Sequence, residues 1–252
     1  FWYIGKPIDR EILSFNNDIF SFIINAYYDP STNNIYIPTG ILNDMFFKLS
    51  EDPIYNYGGL GSIIGHEIMH AFDTYGAMFD HKGHLNNWWN LADYQKYFQE
   101  TKKVIRHYQK LLFNGQPINA DLSVSENLAD ISGLKLSLRT YINKYMPNAD
   151  INHLTQAEKE HLKKFFQRWA ETLRIISKDK FDYYDINADV HLPNVVRVNA
   201  PFSHILEYYK IYQPKPINVN YLPENERTHF LDISDAPNPL GTPNTTQKYI
   251  ST

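Results

Sequence analysis

"GHEIMHAFD", residues 65–73, sets His66 and His70 four residues apart with Glu67 between them. On an α-helix, positions i and i+4 share one face, a turn apart, so both imidazoles can reach a single cation. Glu67 is rotated by about 100° from His66, near enough to reach a water on that cation. This is the H-E-x-x-H pattern, whose mechanics are two zinc ligands and a general base. The bland alternative, an ordinary helix that happens to carry two histidines, is not excluded by these residues alone.

A catalytic zinc needs a third protein ligand and an open position. Downstream lies "SENLADISG", residues 125–133, in which Glu126 and Asp130 are again i and i+4. One helix face can therefore present a ligand carboxylate and a second carboxylate that orients a ligand histidine through its other ring nitrogen. Asp130 suits the second role, and Asp73, three residues after His70, can serve the other histidine. A competing reading is a capping box over Ser123-Val-Ser-Glu126, in which Glu126 only closes its own helix. A third cluster, "DVHLPNVVRVN" at 189–199, holds His191 and Arg197 in a proline-bearing segment suited to a site loop. A histidine there can stabilise developing negative charge, and an arginine can fork onto a carbonyl or carboxylate.

The totals narrow the class. The chain has 252 residues, enough for one large domain. Its 43% hydrophobic and 15% aromatic content supports a packed core rather than disorder. A formal net charge of -4 gives no electrostatic reason to expect nucleic acid. No apolar run approaches the roughly 20 residues of a membrane span. Cysteine is absent, which removes thiolate ligands and thiol nucleophiles, and biases the expected compartment slightly toward the cytoplasm.

Periodicity predicts two short strands around a turn within 25–39, and helices over 61–72, 91–112, 123–145 and 157–176. The helix over 91–112 carries Leu91, Tyr94, Phe98, Ile105, Tyr108 and Leu112 at helical spacing. The helix near 157 opens with a capping box, Thr155 to Glu158. Val195–Val198 reads as a short extended piece. Residues 214–243 are proline-rich and form either a wrapping extension or a tail. The whole reads as α+β, mainly α, with 1–252 as a single domain in which 214–252 is a C-terminal extension.

Five stretches in this order resemble the neprilysin family of zinc endopeptidases, which includes the endothelin-converting enzymes and bacterial oligopeptidases. They are "NAYYDPSTNNIYIPTGIL" (25–42), "NYGGLGSIIGHEIMHAFD" (56–73), "HKGHLNNWW" (81–89), "SENLAD" (125–130) and "DVHLPNVVRVN" (189–199). The resemblance implies a zincin fold of the thermolysin-like, gluzincin kind with a small edge-strand sheet. It implies one zinc per chain on His66, His70 and Glu126, with Asp130, Asp73 and Asp189 behind the ligands and His191. Glu67 would be the base and His191 the oxyanion donor. Asn25 and Ala26 would bind the substrate backbone, Arg197 a substrate carbonyl, and Phe46, Ile63 and Trp169 would line an apolar pocket.

The implied function is zinc-dependent endopeptidase action on small to medium peptides, cutting on the amino side of bulky apolar residues. A non-catalytic peptide-binding module is the alternative, but it has no need of Glu67. A zinc hydrolase of non-peptide amides leaves Asn25 and Ala26 unexplained. The family's large upstream helical part is missing, so a roof over the site is expected from a separate chain or a longer parent. The family's Cys-x-x-Trp ending is also absent. Animal members are extracellular or membrane-anchored, which stands as the alternative to a cytoplasmic location.

Overall fold

The helix over 124–145 organises everything around it. In "VSENLADISGLKLSLRTYINKY" apolar residues fall on nearly every side, a pattern that fits a helix enclosed by the rest of the protein. In the computed structural model, which describes residues 20–174 and 188–232, this helix is the spine of the domain.

Among the described residues the first element is a two-stranded antiparallel hairpin, β1 (Tyr27–Asp29) and β2 (Asn34–Tyr36), in which Tyr27 pairs with Tyr36. A short helix α1 (Pro53–Asn56) is capped by the Asp52 side chain and runs through a π-helical turn at Tyr57–Gly61 into α2 (Ser62–His70). That wide turn frees the Tyr57 carbonyl, which accepts from Ser62 Oγ at 2.9 Å and Ser137 Oγ at 2.6 Å. Next come α3 (Leu91–Tyr108), a tight hairpin of β3 (Leu112–Phe113) and β4 (Gln116–Pro117), and α4 (Val124–Tyr145). Helix α5 (Gln156–Thr172) opens with the expected Thr155–Glu158 capping box. Helices α6 (Asn194–Asn199) and α7 (Leu206–Tyr212) follow.

Several expectations are corrected. Helix α3 stops at Tyr108, because "FNGQ" turns the chain back: Asn114 and Gly115 both take positive φ, at 50° and 79°, as a two-residue hairpin requires. Its buried stripe is Tyr97, Thr101, Val104 and Tyr108, while Leu91, Tyr94 and Phe98 are exposed. Val195–Val198 lies in helix α6, not in an extended piece; Pro193 stands at its N-cap, and this start outweighs the β-branched valines. The proline-rich stretch wraps through residue 232: Leu222 and Thr228 are buried, and Phe230 packs on the core. Helix α5 stops at Thr172, with Leu173 as its C-cap, short of the expected residue 176; residues 233–252 lie outside the described residues.

Helix α4 separates two cores. On one side Leu134 and Leu138 pack against Phe165 and Phe166 of α5, with Phe202 and Ile205. On the other Leu128 and Ile131 meet Val104 and Tyr108 of α3, with Leu192 and Val196. Lys135 is fully buried within α4, and its ammonium donates to the Thr228 carbonyl at 2.8 Å and to Asp232 at 3.0 Å. Arg139 also reaches Asp232, and Glu207 too, both at 3.0 Å. The wrapping segment is thus pinned to the spine by ion pairs that desolvation makes costly to break.

Helices α2 and α4 cross at Gly65 and Gly133. A Cβ on Gly65 would lie 2.6 Å from the Gly133 carbonyl oxygen, and one on Gly133 would run into the His66 backbone nitrogen. Ala normally stabilises a helix interior by about 1 kcal/mol over Gly. Gly133→Ala should do the opposite, lowering stability by roughly 1–3 kcal/mol through overpacking, as read in urea unfolding.

A second expectation concerns pH. Thr228 N–H donates to His204 Nδ1 at 3.0 Å, so His204 Nε2 carries the proton that bridges to His107 Nδ1, also at 3.0 Å. Burial, with Lys110 nearby, pulls His107 down to about 4, and burial pulls His204 well below its usual 6.5. Both rings are neutral in the fold but take up a proton when unfolded. Their contribution to stability is therefore full above pH 6.5 and is lost as pH falls toward 4. The urea midpoint should drop across that window, and less steeply in a His107→Gln chain.

Candidate active site

The Gly65–Gly133 crossing places the first turn of α4 over the last turn of α2. His66 Nε2 and His70 Nε2 come within 3.0 Å of each other. Glu126 joins them, with Oε2 at 3.2 Å from His66 Nε2 and Oε1 at 3.6 Å from His70 Nε2. Four ligands on zinc at about 2.0–2.1 Å stand roughly 3.3 Å apart at tetrahedral angles, so the spacing suits one ion. Ser123 makes no side-chain cap to α4, and its hydroxyl donates to the Asn119 carbonyl instead. The capping reading of Glu126 therefore falls.

The outer nitrogens decide the chemistry of the inner ones. His66 Nδ1 lies 2.8 Å from Asp130 Oδ1, and His70 Nδ1 lies 2.8 Å from Asp73 Oδ2. Ionised carboxylates only accept, so each Nδ1 carries the proton and each Nε2 offers a lone pair. Asp73 is itself fixed by the backbone N–H groups of Tyr75 and Gly76, each at 2.8 Å. Two lone pairs and a carboxylate thus converge on one point. Glu126 Oε2 is buried there without a well-aligned hydrogen bond. Such a donor set needs a cation or a proton, and it fits zinc.

Without a metal the cluster takes the proton. Burial pulls His66 down, but Asp130 and Glu126 outweigh it and carry the ring up to about 10. Burial raises Glu126 too, yet His191 and His66 overcome it and hold the carboxyl below its ordinary range. Asp130 is likewise held low, with Arg197 offsetting its burial. Glu67 is different: buried at 6% exposure, its pKa is raised chiefly by desolvation, only partly countered by His66 and His70. A carboxylate so placed is a stronger base than one in water. Glu67 also groups with His66 and His70 as a potential metal-holding set.

A cavity of about 470 Å³ opens over this cluster and is lined by Asn25, Ala26, Glu67, Glu126, His191 and Arg197. Its apolar end is built by Phe46, Ile63 and Trp169. Every residue singled out for the site is thus at the cluster, on this wall, or directly behind it. Asn25 and Ala26 immediately precede β1. His191 Nε2 stands 3.2 Å from Glu126 Oε2, while Asp189 accepts from the His191 backbone N–H at 2.8 Å and faces its Nδ1 at 3.3 Å.

Arg197 holds more than a place on the wall. Its Nε and Nη2 each donate to Asp130 at 2.8 Å, a bidentate clamp on the carboxylate behind His66. Its carbonyl in turn accepts from Trp169 Nε1 at 3.1 Å, which ties the pocket wall to the metal cluster. Sequence reasoning missed this link, as it did Ile41, Thr172 and Leu173 at the apolar end.

A model of the family described as Peptidase family M13 matches residues 25–227. The chain belongs to peptidase family M13. A zinc metalloproteinase of Acanthamoeba polyphaga mimivirus is 39% identical over 91% of this chain and 36% of its own length. A neutral endopeptidase of Lactococcus lactis is 36% identical over 81% of this chain and 30% of its own. The solved Mycobacterium tuberculosis zinc metalloprotease Zmp1, in complex with an inhibitor, superposes with a TM-score of 0.77 at 28% identity, covering 89% of this chain and 34% of that one. PepO of Lactobacillus rhamnosis gives 0.72 at 30% identity over 83% and 31%. The chain spans about a third of the length of these M13 relatives, and the fold is that of M13 zincins.

If Glu126 is a ligand, Glu126→Gln should weaken zinc binding more than Asp130→Asn. The latter should lose the roughly 10–100-fold typical of a carboxylate that orients a ligand. Ser123→Ala should leave zinc affinity unchanged. Competitive chelator titration reads all three.

Proposed function

We propose that this chain is the catalytic part of a zinc-dependent endopeptidase, holding one zinc ion on His66, His70 and Glu126. The observation that carries the reading is the convergence of the His66 and His70 Nε2 atoms and the Glu126 carboxylate beside a buried glutamate, at the floor of a cavity with one apolar end. Zinc, when bound, supplies a Lewis acid and an open position at which water becomes acidic near neutral pH.

The chain's own residues do the rest. Asn25 and Ala26 hold the peptide backbone as an added strand along the hairpin edge. Glu67 takes the proton of the attacking water and returns it to the leaving amine, a task suited to its raised pKa. His191, whose pKa the neighbouring Glu126 raises, donates to the carbonyl oxygen as negative charge grows there. Arg197 fixes Asp130, and so the His66 ring, from the wall that faces the substrate carbonyl. Phe46, Ile63 and Trp169 receive a bulky apolar side chain on the carboxyl side of the cut, so cleavage falls on the amino side of such residues. The substrates are small to medium peptides.

Glu67→Gln should retain zinc but lose at least about 10²–10⁴-fold in kcat, the range of general acid–base catalysis. Hydrolysis near the wild-type rate by a zinc-loaded Glu67→Gln chain would remove the glutamate from the mechanism. His191→Gln should lower kcat by something like 10²-fold with KM little changed. Arg197→Met should act at two places, raising KM and also weakening zinc through the released Asp130. An Arg197→Met chain with wild-type zinc affinity would show that the clamp is not needed.

A further inference from the structure

The stretch "HKGHLNNWW" takes no part in the mechanism above, yet its His81 and Trp88 help to wall a second cavity next to the first. This cavity measures about 240 Å³ and is walled by Tyr28, Phe72, Phe79, Asp80, His81 and Trp88. Tyr28 lines both cavities, so the two adjoin along β1. At this volume, below the roughly 300–1,000 Å³ of whole-ligand pockets, the space suits a single side chain.

Its position follows from the strand. The apolar end of the main cavity lies by Ala26, which packs in one cluster with Ile41 and Phe46. Tyr28 is two residues further, about 7 Å along β1 at strand spacing. A peptide added antiparallel to β1, with its bulky residue after the scissile bond in the apolar end, runs its preceding residues toward Tyr28. This placement rests on the peptidase reading above.

The walls are fixed and charged in a particular way. Tyr28 Oη donates to Asn33 Oδ1 at 2.8 Å, and Asn33 Nδ2 donates to the His81 carbonyl at 3.1 Å, locking the hairpin to the 80–86 turn. Trp88 Nε1 donates to the Phe79 carbonyl at 2.9 Å, and Trp88 meets Phe72 edge-on with centroids 6.4 Å apart. Both rings remain open to solvent, Phe72 at 36% and Trp88 at 49%. Asp80 Oδ1 accepts from the backbone of Lys82 and His84 at 2.8 and 3.1 Å, whereas Oδ2 has Asn86 at 3.4 Å and, more distantly, the exposed His84 ring at 3.8 Å. Those backbone donors also hold the carboxyl below its ordinary range. The nearby lysine, Lys82, is exposed.

Exposed aromatic rings beside an underused carboxylate oxygen match a flat cation. A guanidinium stacks on aromatic faces and binds carboxylate with the same group, which an ammonium does less well. We propose that this cavity is a specificity subsite for a basic side chain, arginine above all, on the amino-terminal side of the peptide bond to be cleaved. An acidic residue at the same place is disfavoured by Asp80.

The test uses peptides of one sequence with phenylalanine after the scissile bond and arginine, norleucine, phenylalanine or glutamate at each of the three preceding positions. Affinity for the full chain is read by fluorescence anisotropy, and kcat/KM by hydrolysis. At one of these positions arginine should exceed glutamate by about tenfold or more in affinity, the scale of a partly desolvated cation–aromatic contact with a charge partner. The same ratio should appear in kcat/KM, mainly through KM. Asp80→Asn keeps an oxygen for the turn's N–H groups, and Trp88→Leu keeps an apolar side chain. Each should cut the ratio to within about threefold, and added salt should lower it in the wild type. Equal affinity for arginine and glutamate at all three positions would overturn the proposal, as would a ratio that survives both substitutions or a preference for phenylalanine over arginine. Failure to cut any peptide while the binding ratio persists would sink the peptidase reading alone. Cutting without the ratio would sink the subsite alone.

Discussion

The contact between Gly65 and Gly133 sets the distance between α2 and α4, and the rest of the site depends on that distance. Two helices carrying ordinary side chains pack about 8–10 Å apart. Here the backbones meet directly, because any Cβ at either position would occupy the other helix's main chain. Only that approach lets Glu126, on the first turn of α4, touch the Nε2 atoms of His66 and His70. The same approach brings Asp130, one turn further on, behind His66. The i, i+4 repeat appears in both helices because each must present two groups, one turn apart, to a single centre.

Charge is then arranged in layers. The inner layer offers lone pairs, the next layer fixes tautomers through Asp130 and Asp73, and a third holds those carboxylates through Arg197 and the backbone N–H groups of Tyr75 and Gly76. Each layer offsets the desolvation of the one inside it. Glu67 stands apart from these clamps, and its pKa rises where those of Glu126 and Asp130 fall. Carboxylates of one site are thereby pushed in opposite directions. The opposite flank of α4 relies on the same device for a different end: buried Lys135 and half-buried Arg139 pair with Asp232, and Arg139 with Glu207 as well, binding the wrapping segment to the spine.

Much of this was legible beforehand. Long helices with strong periodicity or caps fell close to their expected bounds, α4 above all, while α5 began where its capping box placed it and ended four residues early. The metal donors and the two orienting carboxylates were readable because helical spacing is rigid, so four residues apart has one geometric meaning. Errors gathered where the local signal pointed two ways. The valines of 195–198 suggested a strand until Pro193 was seen to start a helix. The Asn114-Gly115 turn ends α3 at Tyr108, although apolar spacing continues to Leu112. On α3 the apolar residues occupy more than one face, and only the position of α4 determined that Tyr97, Val104 and Tyr108 turn inward while Leu91 and Phe98 do not.

By itself the sequence determined the pairings within each helix: His66 with His70, Glu126 with Asp130, and Glu67 one step round from the ligands. These follow from 3.6 residues per turn and require no partner. Tertiary structure took Glu126 out of the cap and set it against His66 and His70, since the local pattern is the same either way and only what lies across the crossing differs. It also gave Arg197 to Asp130, across 67 residues of chain. It joined Trp169 to the Arg197 carbonyl as well. Contacts between residues so far apart depend on how helices stack, and helix stacking is set by packed side chains and glycine contacts that no local spacing encodes.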